Sequence, residues 1–448
     1  MSSSPLPDSD QAPLQALLPD WVIPVAPAGV CLSDHAVVVQ GSTIAAIVPV
    51  ASLPSAFPGI ATERLAGCAL LPGLVNLHAH AAMSLLRGYA DDLALMTWLQ
   101  DHIWPAEARW VGAEFVEHGT ALACAEFLLG GVTTFNDMYF FPDAAARAVL
   151  ASGLRAVLGI TVLEFPTAWA ADAEGYLSQG LGVRDALRGE DRLGFAMAPH
   201  APYTVSDETF RQVMTFADEL DLPVHLHVHE SRQEIDDSLT RHGVRPIERL
   251  ARLGVLGPRL IAVHAVHLER GEIEAFARLG VSVAHCPHSN LKLASGIAPL
   301  AALRAAGVNV GVGTDGAASN NRLDLLGEMR TAALLAKGAS GEAAAVPASE
   351  ALHLATLGGA RALGMGERIG SIEVGKQADL ITVRLDTLEC QPVFDPIAQI
   401  VYSAGREQVH DVWVAGERLL RRREAQRLDL AAIRASASLW GERLRRVV

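Results

Sequence analysis

The amino-acid sequence predicts an α/β fold: a (β/α)8 TIM barrel with a small β-sandwich domain formed from both chain ends. Three observations lead to this prediction. The chain has 448 residues, half of them hydrophobic, which is enough for one large domain and a smaller one. From about residue 70 onward, short apolar strands alternate with amphipathic helical segments. Segments rich in β-type residues lie on both sides of this repeating region.

The repeating region contains eight predicted strands, as a (β/α)8 barrel requires. In chain order they are "GLVNLHAH", "GVTTFNDM", "RAVLGITVL", "LGFAMAPHAPY", "LPVHLHVHE", "RLIAVHAVHL", "VSVAHCPHSN" and "VNVGVGTDGAASNN". Several of the helical segments between them end at glycine, which is typical of a helix C-terminus. An open doubly wound sheet is the structural alternative, but no strand is followed by a glycine-rich phosphate-binding fingerprint.

The flanking segments set the predicted domain organisation. We expect five parts: a disordered N-terminal tail (1–19), the first part of the β-sandwich (20–69), the metal-dependent catalytic barrel (70–370), the second part of the β-sandwich (371–420) and a C-terminal helix (421–448). The first residues have neither the basic nor the apolar region of a signal peptide, and no segment reaches the length of a membrane span.

Composition excludes several function classes. The formal charge of −14 argues against a nucleic-acid partner, because such binding relies on clustered lysine and arginine. The five cysteines are scattered without C-x-x-C spacing, which indicates reduced thiols and a cytoplasmic protein. We therefore expect a small-molecule substrate and no membrane, with a homo-oligomer left open.

Histidine and carboxylate side chains cluster at the predicted strand ends. Alternation along the first strand places His78 and His80 on one face, close enough to share an ion. The fifth strand ends in "HLHVHE", where the same alternation places His225, His227 and His229 on one face. The sixth strand ends in "VHAVHL" with His264, and the eighth in "GVGTDG" with Asp315. In a TIM barrel these ends meet at one face, where the chemistry takes place.

Imidazole nitrogens with a carboxylate, and no thiolate, suit a hydrolytic metal ion. His78, His80, one histidine of the fifth strand and Asp315 form such a set. One divalent metal is therefore expected; Zn²⁺ is favoured, and Fe²⁺ or Mn²⁺ would also accept these ligands. Taken singly, Asp315 would be interpreted as a turn residue and His264 as a core histidine. The prediction of a metal site therefore depends on the agreement of four strand ends.

Five stretches resemble the amidohydrolase superfamily, and within it the 5'-methylthioadenosine/S-adenosylhomocysteine deaminases, which are grouped with the triazine hydrolases. They are "PGLVNLHAHAAMSLLRG", "HLHVHES", "HCPHSNLKLASG", "GTDGAASNN" and "GSIEVGKQADL". The resemblance covers nearly the whole chain from about residue 20. It implies a metal-dependent hydrolase that acts on cyclic amidine C–N bonds.

The resemblance also implies roles for individual residues. The metal ligands fall on His78, His80, His227 and Asp315. The general acid/base falls on Glu230, and His264 lies near the attacked carbon, where it and Asp315 would hold the developing oxygen charge. Related binuclear members carry a carboxylated lysine on the fourth strand, but "LGFAMAPHAPY" has none, so one metal is expected.

Substrate contacts are implied at Glu107, which would bind the ribose hydroxyls, at His200 and at Ser319. The segment after the third strand has no arginine or lysine for the carboxylate of S-adenosylhomocysteine. Phe165 and Trp169 would instead suit an apolar methylthio tail. The predicted substrates are therefore 5'-methylthioadenosine and adenosine, with S-adenosylhomocysteine less favoured, and the products are an inosine-type nucleoside and ammonia.

Two alternatives stay open at this point. One is a triazine or guanine-type aminohydrolase or chlorohydrolase with the same metal centre, for which a ribose-binding Glu107 has no evident use. The other is a non-catalytic scaffold of the same fold. The presence of all four ligand residues and of Glu230 argues against it. Outside the ligand set, His225 is expected to be a buried partner of a ligand, and the role of His288 is open.

Overall fold

A computed structural model describes residues 13–445 of the chain. It contains a parallel eight-stranded barrel and a nine-stranded sheet that is built from both ends of the chain. The predicted fold class, a TIM barrel with a small β domain from both termini, is confirmed.

The first part of the terminal sheet precedes the barrel. Its strands are β1 (Leu14–Val22), β2 (Leu32–Ser33), β3 (His35–Gln40), β4 (Thr43–Pro49) and β5 (Ala61–Pro72). Strand β1 pairs parallel with β5 and antiparallel with β3. Residues 1–12 of the expected N-terminal tail lie outside the described residues, but residues 14–19 belong to β1. The sheet therefore begins before residue 20, because alternate β1 side chains such as Leu17 pack in its core.

The barrel follows directly. Its strands are β6 (Leu74–Ala79), β7 (Val132–Asp137), β8 (Arg155–Val162), β9 (Leu193–Pro199), β10 (Val224–Val228), β11 (Leu260–His264), β12 (Ser282–His285) and β13 (Asn309–Val312). Each strand pairs parallel with the next. Nearly all of their side chains are buried, as in a sheet covered on both faces. Val75, Leu77 and Ile261 belong to the apolar cluster that fills the interior.

The first and last strands of the barrel, β6 and β13, approach each other closely at one end. The N–H of Asp315 donates to the carbonyl of His78 at 3.0 Å. This approach requires glycine at position 313, because a Cβ there would lie 2.8 Å from the backbone nitrogen of His78. The close contact brings the ends of β6 and β13 into register.

Helices cover the barrel. In chain order the helical segments are Val50–Ser52, Leu53–Ala56, Ala81–Leu86, Leu95–Thr97, Trp98–Ile103, Trp104–Trp110, Ala113–Leu129, Pro142–Ser152, Ala173–Leu187, Asp207–Leu220, Arg232–His242, Pro246–Arg252, Arg270–Leu279, Pro287–Lys292, Leu300–Ala305, Ala317–Asn320, Leu325–Ser340, Ala348–His353, Leu354–Gly358, Gly359–Ala362, Leu388–Cys390, Pro396–Tyr402, Arg406–Gln408 and Leu430–Arg445. Trp98–Ile103 and Leu354–Gly358 are π-helical. Within residues 13–445, no helix has the length and apolar character needed to cross a bilayer.

The chain then returns to the terminal sheet. The remaining strands are β14 (Leu380–Arg384), β15 (Val409–Val414), β16 (Glu417–Arg421) and β17 (Glu424–Ala425). Strand β14 pairs antiparallel with β5 on one side and with β15 on the other. Strand β5 thus lies between the two ends of the chain, and it continues through Gly73 into β6.

Candidate active site

The ends of the barrel strands bring the expected histidines together. The ring centroid of His78 lies 4.7 Å from that of His80, 4.9 Å from that of His227 and 5.7 Å from that of His264. His80 follows β6 directly, His227 is on β10 and His264 ends β11. Four imidazoles from three strands therefore surround one point.

Asp315, just beyond β13, completes this cluster. Its Oδ1 lies 3.2 Å from Nε2 of His78 and 3.4 Å from Nε2 of His80, while its Oδ2 lies 3.9 Å from Nε2 of His264. The hydroxyls of Ser289 and Ser319 donate to Oδ2 at 2.6 and 3.0 Å. These hydrogen bonds hold the carboxylate toward the histidines.

The second nitrogen of each ring makes a hydrogen bond that leaves Nε2 facing the cluster. Nδ1 of His80 donates to the carbonyl of Met138 at 2.6 Å, and Nδ1 of His227 donates to the carbonyl of His200 at 2.7 Å. Because a carbonyl only accepts, Nε2 of both rings carries a lone pair. Nδ1 of His264 makes the corresponding bond to Oδ1 of Asn290 at 2.8 Å. This is the arrangement that metal-binding histidines have.

His78 lies deepest in the cluster. Its Nδ1 is 2.9 Å from Nε2 of His225, so the expectation that His225 is a buried hydrogen-bond partner is confirmed. Among the residues that the structure describes, Nε2 of His78 has no hydrogen-bond partner although it is fully buried. A buried nitrogen without a partner is costly unless an ion or water accepts its lone pair.

Burial sets the charge state of these groups. It lowers the pKa of His78 from 6.5 to about 4 and lowers the pKa of His227 well below its usual value, so both rings are neutral near pH 7. Burial would raise the pKa of Asp315, but its electrostatic interactions with the nearby rings of His78, His80 and His264 hold that pKa well below its usual range. Neutral imidazoles with an ionised carboxylate are the protonation states that a metal requires.

The donor set fits a divalent metal. Donor atoms of His78, His80 and Asp315 lie within 4.8 Å of one another, and so do those of His78, His227 and His264. Nitrogen and carboxylate donors without thiolate are typical of hydrolytic Zn²⁺ sites. The site can therefore hold the metal that the sequence predicts.

Glu230 stands beside this centre, two residues after the end of β10. Its Oε2 lies 3.7 Å from Nε2 of His264. Burial raises the pKa of Glu230, the positive field of His264 opposes this shift, and the charge of Asp315 adds to it. A carboxyl group with a raised pKa next to a metal centre is suited to general acid/base catalysis.

The centre lies at the bottom of a cavity of about 300 Å³. Its lining includes eight of the nine predicted site residues, which are His80, Glu107, His200, His227, Glu230, His264, Asp315 and Ser319. His78, the ninth, lies behind them in contact with Asp315. Within the described part of the chain, no lysine or arginine lines this cavity.

Aromatic and aliphatic side chains form the end of the cavity away from the centre. Trp98, Trp104 and Phe165 line it, and the rings of Trp104 and Phe165 have centroids 5.8 Å apart. Glu107 is the carboxylate at this end, and the hydroxyl of Tyr139 donates to its Oε1 at 2.7 Å. Apolar surroundings raise the pKa of Glu107 to about 7, although the Tyr139 hydrogen bond acts in the opposite direction.

Two sequence interpretations are corrected by the structure. Trp169 does not line the cavity as expected, because its ring packs against Phe141 at a centroid distance of 4.9 Å. His229 does not share the face of His227, because β10 ends at Val228 and His229 has a left-handed backbone with φ of 54°. Its ring instead accepts the N–H of Ile247 through Nε2 at 3.3 Å.

Some of the site residues escaped the sequence interpretation. Ser289 and Asn290 orient Asp315 and His264, and their position just after a predicted barrel strand could have marked them. Tyr139 and Trp104 had no comparable signal, because single aromatic residues in apolar segments are usually part of the core.

Known proteins are similar to this chain in sequence. The model of the amidohydrolase family matches residues 69–419. The 5-methylthioadenosine/S-adenosylhomocysteine deaminase of Teredinibacter turnerae is 45% identical over 424 residues, which cover 95% of this chain and 96% of the relative. The protein of the same name from Halobacterium salinarum is 45% identical over 85% of this chain and 88% of the relative.

Solved structures agree. An adenosine deaminase from Xanthomonas campestris with bound zinc has a TM-score of 0.94 and 50% identity, over 97% of this chain and 99% of that one. Atrazine chlorohydrolase from Arthrobacter aurescens in complex with zinc has a TM-score of 0.88 and 27% identity, over 95% of this chain and 99% of that one. Both chains are thus similar to this one along almost their whole length.

Proposed function

The chain belongs to the amidohydrolase family, and from this premise we propose that it is a metal-dependent hydrolytic deaminase of 5'-methylthioadenosine and adenosine. The products are the inosine-type nucleoside and ammonia, and S-adenosylhomocysteine is a weaker substrate. One observation carries the proposal: a cluster of four histidines and an aspartate, with Glu230 beside it, lies at the bottom of a largely apolar cavity. The relatives named as deaminases support it.

The metal is held by His78, His80, His227 and Asp315. When bound, a divalent ion supplies a hydroxide-like nucleophile at neutral pH by lowering the pKa of water from about 15.7 to near 7. Donor atoms of His78, His80 and Asp315 lie within 4.8 Å of one another, and the ring of His227 lies 4.9 Å from that of His78, which supports this assignment. With no lysine on β9, the chain lacks the bridging ligand of a second ion, so we propose a single metal.

Glu230 moves the protons. Glu230 can take one proton from the attacking water and deliver it to ring N1 of the purine, which makes C6 electrophilic. It can then carry the second proton, from the oxygen added at C6, to the departing amine as the C6–N bond breaks. His264 stabilises the negative charge that develops on the oxygen added at C6. The 3.7 Å between Glu230 Oε2 and His264 Nε2 keeps these groups within reach of one reacting carbon.

The remaining contacts hold the nucleoside. Glu107 accepts hydrogen bonds from the ribose hydroxyls, and Tyr139 orients its carboxylate. His200 and Ser319 bind the base from the cavity wall. Burial lowers the pKa of His200 to about 3, so its neutral ring can accept as well as donate a hydrogen bond.

The 5' end of the nucleoside selects the substrate. Phe165 and Trp104 offer an apolar surface to a methylthio group. A homocysteine tail brings an ammonium and a carboxylate into a cavity where no described lining residue is lysine or arginine. A desolvated carboxylate without a cationic partner binds poorly. This favours 5'-methylthioadenosine over S-adenosylhomocysteine.

We also propose domain bounds, a cellular location and an oligomeric state. We assign residues 70–370 to the catalytic domain and residues 14–69 and 371–425 to the terminal domain. A cytoplasmic location is supported by five free cysteines without a disulfide in the described residues. A homo-oligomer is supported by Leu388 and Phe394, which are 95% and 91% exposed.

An ammonia-release assay over a substrate panel tests the function. The panel contains 5'-methylthioadenosine, adenosine, S-adenosylhomocysteine, adenine, guanine and melamine. We expect kcat/KM to be highest for 5'-methylthioadenosine and adenosine, lower for S-adenosylhomocysteine and far lower for the free bases and melamine. A free base or triazine as the best substrate would establish the alternative aminohydrolase activity. Activity on none of them, with metal bound, would support a non-catalytic scaffold.

A further inference from the structure

Glu234, in the first turn of helix Arg232–His242, makes an unusual pair of hydrogen bonds. Its carboxylate accepts the backbone N–H of His229 through Oε1 and that of Glu230 through Oε2, both at 2.9 Å. Ser231 caps the same helix by accepting the N–H of Glu234. In an ordinary capping box the third-position glutamate accepts the N–H of the cap residue itself. Here it extends past the cap to the two preceding residues.

These two residues form a backbone segment that is held from several sides. His229 has φ of 54°, a left-handed conformation that is strained for a residue with a Cβ. Its carbonyl accepts the N–H groups of Val266 and His267 at 3.0 and 3.1 Å. The Glu234 carboxylate supplies the acceptors for the N–H groups on the other side. The segment also joins the strand-end loop of β10 to that of β11.

The side chain of Glu230 has no comparable support. Among the residues that the structure describes, no donor makes a hydrogen bond to its carboxylate, and Nε2 of His264 is 3.7 Å away. The position of this carboxylate therefore depends on where the backbone at residues 229 and 230 lies. The Glu234 side chain is buried, with only 5% of its residue surface exposed. Its two oxygens reach both N–H groups in this one position.

We propose that Glu234 is a positioning residue for the deamination reaction: its carboxylate fixes the His229–Glu230 backbone so that Glu230 faces the metal centre. Glu234 does not line the catalytic cavity, so it acts through Glu230 and not on the substrate. The inference rests on the proposed role of Glu230 as the proton carrier. It adds a residue that neither binds the metal nor contacts the nucleoside.

The test begins with Glu234→Gln, which keeps the size of the side chain. An amide has one acceptor oxygen, and its NH₂ group would face one of the two N–H donors. We expect kcat for adenosine to fall about 10- to 100-fold, as small misplacements of reacting groups do. KM should stay within about twofold and the bound zinc should be unchanged, because neither depends on this carboxylate. An unchanged kcat would overturn the proposal.

A double-mutant cycle with Glu230→Gln separates positioning from general destabilisation. If Glu234 acts only through Glu230, adding Glu234→Gln to Glu230→Gln should leave the residual kcat the same. A further loss equal to that of the single variant would refute the inference. If Glu230→Gln itself keeps full activity, the proposed function fails instead, so the two failures are distinguishable.

Two control variants complete the experiment. Glu248→Gln makes the same chemical change at an exposed position, where Glu248 makes only a surface ion pair with Arg252, so kcat should be unchanged and the melting temperature nearly so. Ser231→Ala removes the helix cap but not the acceptors for residues 229 and 230, so it should lower the melting temperature and keep kcat within about twofold. If Ser231→Ala lowers kcat as much as Glu234→Gln does, helix formation and not the carboxylate is responsible, and the proposal is wrong.

Discussion

The two ends of the catalytic cavity are built in different ways. The metal end consists of residues at the ends of β6, β10, β11 and β13, where neighbouring strands hold each backbone in place. The nucleoside end consists of side chains from the helical segments Trp98–Ile103 and Trp104–Trp110 and from the loop that contains Phe165. The first end is mainly polar, whereas the second is mainly aromatic and aliphatic.

This difference assigns the reaction to the metal end and the choice of substrate to the nucleoside end. A metal requires donor atoms at fixed distances, which parallel strands provide because their spacing is set by backbone hydrogen bonds. A methylthio group requires only apolar surface of suitable shape, which helices and loops can supply in many ways. We therefore expect substitutions at the metal end to abolish the reaction and those at the nucleoside end to change the choice of substrate.

The largest effect is expected at the metal end. His227→Ala removes one donor from the cluster, so both bound metal and kcat should fall, kcat by at least about 10³-fold, because the metal supplies the nucleophile. Metal content by elemental analysis and kcat for adenosine check this together. A variant that keeps both would place the metal ligands elsewhere and remove the contrast between the two ends.

The next effect concerns Glu107. Glu107→Ala should lower kcat/KM for nucleosides by about 10- to 100-fold, since an unpaired polar group in a buried site costs roughly 1–3 kcal/mol. Bound metal and the residual rate with free adenine should not change, because Glu107 is not one of the donor residues. A parallel loss with adenine and with adenosine would show that Glu107 does not recognise ribose.

A smaller effect is expected from the apolar wall. Phe165→Ala should lower the preference for 5'-methylthioadenosine over adenosine by about three- to tenfold, because apolar burial contributes about 25 cal/mol per Å². Trp169→Leu is the matched control, since Trp169 packs against Phe141 outside the cavity. The measurement is the ratio of the two kcat/KM values. Equal effects of both variants would mean that the loop as a whole, and not the Phe165 ring, selects the substrate.

The smallest effect is on stability. The pKa of Glu107 rises from 4.5 to about 7 on folding, so the folded protein binds its proton more tightly than the unfolded chain does. The stabilising contribution of this proton is complete below about pH 4.5 and is lost as the pH rises through about 7. Glutamine cannot ionise, so Glu107→Gln does not lose this stabilisation at high pH. The variant should therefore melt about 1–3 °C higher than the wild type at pH 8. At pH 5 the difference should vanish in the same thermal scans, and a difference independent of pH would contradict the assignment.

The metal end could be predicted from the sequence in large part. Strand periodicity places His78 and His80 on one face, and a barrel brings its strand ends together, so a residue as distant in sequence as Asp315 can be assigned to the same cluster. The family resemblance then selects His227 among the three histidines of the fifth strand. The structure adds the reason: His229 lies beyond the strand, and His225 is a partner of His78.

The nucleoside end could not be predicted to the same depth. Phe165 and Trp169 are close in sequence and similar in chemistry, but only the first reaches the cavity. The path of a loop depends on packing against distant residues such as Phe141, and local sequence carries no periodicity that reveals it. The hydrogen bond from Tyr139 to Glu107 joins two separate elements and is invisible in the sequence for the same reason.

Strand β5 has a further consequence for how this protein is made. It pairs with β1 on one side and with β14 on the other, and β14 is translated only after the whole barrel. Until then one edge of β5, with Leu70 and Leu71, has no partner, and an unpaired apolar edge readily joins other chains. A transcript truncated after the barrel would therefore yield a product prone to aggregation. Only a polypeptide synthesised through β14 covers this edge.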